Sequence, residues 1–223
     1  LPEGYLTITV VEPEEADGVR YAEPPPDSLP PVAAWAEAYA LYPDQHWAWP
    51  YALAGVAEAP EAPDATSLPA VRAFLAAHTA PADLQRALDV LERDRDPINR
   101  SIAAAILTSF PERDAAWHAL VRAVRGHGPD DASRAMATMA LAAMVNRGTK
   151  AVDWTPVADD LRALLDGTTL FALPQILTLL SATRVTPELA DELLGGGGEL
   201  VLAHLGVQIP STRARAMDVL EKL

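Results

Sequence analysis

Leu91-Glu92-Arg93-Asp94-Arg95-Asp96-Pro97-Ile98-Asn99-Arg100-Ser101-Ile102-Ala103-Ala104 is the stretch that decides the fold. It contains the end of one helix, an acidic turn and the start of an arginine-bearing helix. The same order returns at Gly128-Pro129-Asp130-Asp131-Ala132-Ser133-Arg134-Ala135-Met136-Ala137. Asp96 and Asp130 stand 34 residues apart, and Asp130 and Asp166 stand 36 apart. Helix-pair repeats occupy roughly 34 to 47 residues, and because no unit buries its apolar face alone, neighbours must stack. The expected fold is all-α: a short α-solenoid of antiparallel helix pairs.

Apolar periodicity on either side agrees with this. Leu84, Ala87, Leu88 and Leu91 fall at i, i+3, i+4 and i+7, one stripe of a helix. Trp117, Leu120, Val121 and Val124 repeat the spacing, as do Met136, Met139, Ala140 and Ala143. Val157, Leu161, Leu164 and Leu165 continue it, followed by Leu173, Ile176, Leu177 and Leu180. Glycines at 126, 128, 148, 167 and 195–198 stand where those helices should stop. Upstream, helices are expected from Pro31 to Tyr42, from Trp47 to Glu58, and from Leu68 to about His78.

The repeat resembles the HEAT family, whose units place an Asp before the second helix and an Arg inside it. Asp96 with Arg100, and Asp130 or Asp131 with Arg134, match that pattern. A weaker unit has Asp166-Gly167 and no arginine, and a last one from Ile209 to Met217 carries Arg213. The resemblance covers residues 82–223 well and 31–81 poorly. It implies that Arg100, Arg134 and Arg213 bind the preceding Asp and nearby carbonyls, stitching the repeats together. The alternative is that these arginines line the inner face and grip an acidic partner. Tetratricopeptide and ankyrin signatures are missing, and an irregular helical bundle is the structural alternative.

Residues 1–29 read differently from the rest. Leu6, Ile8 and Val10 alternate with Thr7 and Thr9, the period of a half-buried strand, and Val19 to Ala22 is placed to return as its partner. The expectation is a small β-hairpin over 5–22, then the stiff connector Glu23-Pro24-Pro25-Pro26-Asp27-Ser28, with the helical domain running from 30 to 223. The start at Leu1 reads as a processed or trimmed end. At the other end the chain stops inside an amphipathic run, so further solenoid or another domain is expected beyond it.

Composition limits the function classes. The formal net charge is −14, which repels phosphate backbones and anionic headgroups, so nucleic acid and membrane surfaces are not the expected partners. No run of about 18 apolar residues is present to span a bilayer. Only Lys150 and Lys222 are lysines, and the preference for arginine suits a GC-rich bacterial genome. There is no cysteine, which removes disulfides, thiolate metal sites and cysteine nucleophiles. That fits an oxidising compartment, and export to the periplasm or cell surface is favoured slightly over the cytoplasm.

Catalytic signatures are absent from the sequence. The five histidines share no helix face at i, i+3 or i+4, so no metal site is expected. No serine stands in a nucleophile elbow. Gly195 to Gly198 is followed by Glu199 rather than Gly-Lys-Ser, and reads as an interhelical loop, not a phosphate cradle. Asn99-Arg100-Ser101 fits a glycosylation sequon, and chance is the reading preferred. The compositional outlier is 39–51, where Tyr39, Tyr42, Trp47, Trp49 and Tyr51 gather with His46 and two prolines. Such a cluster serves as a binding hot spot or ligand pocket. The structural reading, a cap over the open end of the solenoid, is favoured.

The functional expectation is a non-enzymatic scaffold, without cofactor, that presents a concave helical face to a protein or peptide. The alternative is a ligand-binding or lyase-like subunit using His46, Trp47, Trp49 and Tyr51, as the resemblance to HEAT-like bilin lyases implies. A DNA glycosylase role, also known among HEAT-like proteins, needs a cationic groove that the net charge opposes. A structural spacer in a cell-envelope protein is a third possibility.

Overall fold

A computed structural model describes residues 32–42, 48–55, 67–125, 131–147, 152–166, 176–180, 202, 204–206 and 210–221. The expected hairpin over 5–22 and the boundary near residue 30 lie outside these. Among the described residues there are helices and no strand.

The chain runs α1 (Ala36–Leu41), α2 (Ala48–Ala54), α3 (Ser67–Ala77), α4 (Pro81–Arg93), α5 (Pro97–Leu107), α6 (Asp114–Arg125), α7 (Asp131–Asn146), α8 (Ala158–Asp166) and α9 (Pro210–Leu220). Local chemistry sets several of these ends. The carboxylate of Asp83 accepts the backbone N–H of Ala80 at 3.0 Å and fixes the start of α4. Asp96 caps α5, accepting the N–H of Ile98 at 2.9 Å, with Pro97 in the first helical position. Gly55, at φ +70°, ends α2 in the left-handed region.

Helix contacts reveal the architecture. α4 packs on α5 and α6 on α7, so successive helices form pairs. The first helices then touch one another, α4 with α6 and α6 with α8, and so do the second helices, α5 with α7. Pairs stacked like on like make a repeat α-solenoid. Two predicted stripes are wholly buried, Trp117, Leu120, Val121 and Val124 in α6 and Val157, Leu161, Leu164 and Leu165 at and within α8, while Leu84, Leu88 and Met139 of two others are half-buried against the core. Arg125 and Arg122 reach Asp160 at 2.5 and 3.8 Å, pinning α6 to α8.

The N-terminal helices do more than plug an end. α1 packs against α5, and α2 against α7, so they lie along the side formed by the second helices of two successive pairs. α5 is therefore enclosed on every side. Asn99, Ser101 and each residue from Ile102 to Leu107 are buried, and a helix apolar all round is one that sits inside.

Two predicted boundaries move. The helix expected from Trp47 to Glu58 ends at Ala54, before the left-handed Gly55. The helix expected from Pro31 starts only at Ala36. Residues 32–35 are non-helical instead, with a bend at Ala34 and Trp35, and side chains from α4 and α5 hold their backbone groups.

Candidate interaction site

The most specific long-range polar arrangement centres on Asn99, in the first turn of α5 and 1% exposed. Its side-chain oxygen accepts the N–H of Ala34 at 2.9 Å, and its amide nitrogen donates to the carbonyl of Val32 at 2.9 Å. One carboxamide thus satisfies a carbonyl and the N–H two residues later, the spacing that an extended chain presents. The same nitrogen donates to Asp94 Oδ2 at 3.0 Å, which fixes the amide's orientation. Asp94 is held in turn, accepting the N–H of Asp96 at 2.8 Å.

Arg86 of α4 closes the site. Its guanidinium donates to the carbonyl of Ala34 and lies over the Trp35 ring, 4.8 Å from the centroid. Trp35 is 3% exposed and meets His78 edge-on at 6.4 Å. Val32, by contrast, is 86% exposed. Recognition of this segment therefore falls on its backbone and on one aromatic ring. Tyr39, one turn further on, has its hydroxyl pushed above the usual phenol range by burial and then by the nearby carboxylate of Asp96.

A second feature is a cleft of about 370 Å³ where α2, α3, α5 and α7 end. Arg72 and Arg147 line it with Thr79, Thr108 and Ser109. Arg147 donates to the carbonyls of Thr108 at 3.1 Å and Leu53 at 3.3 Å, joining the ends of α5 and α2.

The residues singled out from sequence do not gather at either place. Trp49 is fully buried and packs against Tyr42 and Phe74, with centroids 6.3 and 6.0 Å away. Tyr51 is half-buried against the same core. These placements make the described part of the aromatic cluster core packing. His46 and Trp47 lie outside the described residues, as does Asp130. Asp96 is the cap of α5, and Arg100 Nε donates to the carbonyl of Leu91 at 2.9 Å, tying α5 to the end of α4. Arg134 is half-buried on α7, and Arg213 is exposed on α9. Among the described residues no three His, Asp or Glu side chains come together as metal ligands, and no helix is long and apolar enough to cross a membrane.

Asn99 was visible in the sequence only as part of a sequon. Its burial removes it from the surface on which a glycan would stand. Arg86, Trp35 and Asp94 carry no pattern that marks them, since their partners are brought near by the packing of distant helices.

No family model matches this chain, and none of the curated proteins matches it. Among solved structures, the chain is similar to a designed armadillo repeat protein in complex with the peptide (KR)4. The TM-score is 0.48 and the identity 12%, over 78% of this chain and 81% of that one.

Proposed function

We propose that the chain is a non-enzymatic interaction module that binds a protein or peptide partner on the face formed by its second helices, the concave side of a solenoid. One observation carries this reading: side chains of the helix array already hold a non-helical stretch of polypeptide, residues 32–34, through its backbone groups. A surface that binds one segment in this way has the chemistry to bind another. The part of that face left open is on α7, where Arg134, Thr138, Ala142 and Val145 share one side and are only half-buried. The repeats themselves we read as HEAT-like, on the strength of Asp96 capping α5 while Arg100 reaches back to α4.

The test is site-specific photo-crosslinking from positions 138 and 142 in the full chain. A stoichiometric protein partner attached at both positions is the expected result. Crosslinks confined to the opposite face, along Gln85, Asp89 and Glu92, would refute the placement.

A second reading, a small-ligand site, is favoured by the cleft bearing Arg72 and Arg147 rather than by the aromatic cluster. Two guanidiniums lining one cleft suit an organic anion. Retention of such an anion by the purified chain, lost in Arg72→Gln, would move the assignment to ligand binding.

A further inference from the structure

We infer that the Asn99 socket is a peptide site that works in trans, and that residues 32–35 occupy it in cis as a displaceable strap. Its ligand is a non-helical segment with an aromatic residue three positions after the carbonyl that Asn99 binds. The inference rests on the protein-binding reading above and names the partner's chemistry at one site.

The polar part of the socket belongs to α4, α5 and the turn between them, and His78, just past α3, adds the ring contact. Asp94 orients the Asn99 amide at 3.0 Å, and Arg86 comes from α4. Its shape therefore does not depend on what fills it. The contacts to the strap are to main-chain atoms: Val32 O, Ala34 N and Ala34 O. Any segment that follows the same path offers that set. Selection enters at Trp35, covered by Arg86 and met edge-on by His78.

The strap's own fit is incomplete. The indole N–H of Trp35 is buried and finds no acceptor among the described residues. A phenylalanine ring needs none. The strap also leads only into α1, a helix of six residues. A cis segment competes at a high effective concentration, so a free peptide binds the intact chain weakly and binds well once the strap is loosened.

Ala34→Pro removes the N–H that Asn99 accepts and leaves every socket residue in place. The probe is a fluorescein-labelled peptide of residues 30–35, Pro-Pro-Val-Ala-Ala-Trp, read by anisotropy against the full-length chain. The expected result is binding about tenfold tighter to Ala34→Pro than to the natural sequence, the scale of one strong hydrogen bond. Binding should be lost when the peptide's Trp becomes Ala, or when Asn99→Ala is added to the chain. Equal affinity of the two chains, or indifference to the peptide's Trp, would overturn the proposal.

Should Ala34→Pro fail to fold, hydrogen exchange of the natural chain decides. The Ala34 amide should exchange on the order of a hundredfold faster than that of Arg100, because the strap opens locally. Equal protection would overturn it. A partner crosslinked on α7 alongside a negative peptide result would sink the strap and leave the module reading standing.

Discussion

Trp49 in the N-terminal layer and Trp117 in the stacked pairs are both fully buried, yet they are held differently. Trp117 donates its indole N–H to the carbonyl of Pro111 at 2.9 Å and meets Trp154 edge-on at 6.0 Å. The indole N–H of Trp49 is buried without an acceptor among the described residues, and so is that of Trp35. Burial of the rings supplies apolar area in both regions, but only in the pairs is the polar tip of the ring satisfied. The helices follow the same division. α1 and α2 have six and seven residues, whereas α4, α5, α6 and α7 have between eleven and sixteen. The stacked pairs are the framework, and the N-terminal layer is docked on them with polar groups left over.

The comparison is broken most easily at Trp117. Trp117→Ala should cost about 3–5 kcal/mol, from lost area, a cavity and an unpaired Pro111 carbonyl. Urea unfolding followed by circular dichroism reads this directly, and a loss below about 1 kcal/mol would remove Trp117 from the framework.

Phenylalanine sharpens the contrast. Trp117→Phe forfeits a hydrogen bond and should cost about 2 kcal/mol, while Trp49→Phe forfeits none and should stay under about 1.5 kcal/mol. Equal losses in the two variants would mean that the N-terminal layer is as well satisfied as the pairs.

The smallest effect concerns Asp153, next to the Trp117–Trp154 contact. Its carboxylate accepts the N–H of Thr155 at 3.1 Å. The Thr155 side chain, then that backbone N–H, and less strongly the charge of His118 hold it below the usual carboxylate range. A depressed value means stability that is present above the unfolded value of about 3.9 and is lost as pH falls through the folded one. Asp153 is exposed, so the consequence for stability is slight and NMR titration is the sensitive measurement. Thr155→Ala should move the carboxyl upward; an unmoved titration would exclude the Thr155 side chain as the main cause.

Much of the pair architecture was legible. Asp96 and Arg100 stand at a spacing that local geometry alone turns into a cap and a tie, since both act within nine residues. The stripe at Trp117, Leu120, Val121 and Val124 needed only the helical period. The start of α1 was misplaced because residues 32–34 answer to Asn99, more than sixty residues away. The aromatic run of 39–51 was ambiguous for a related reason: composition marks it as unusual without saying which rings face inward.

The sequence by itself thus determined the helical class of the described residues, the helix pairs and which stripes turn inward. Those are properties of local period and capping, which depend on residues within a few turns of one another. Only the tertiary structure decided that α1 and α2 cover the second helices, that α5 is enclosed, and that Asn99 and Arg86 hold the backbone of residues 32–34 of the same chain. A single amide or guanidinium has no period, and its partner is set by how distant helices pack.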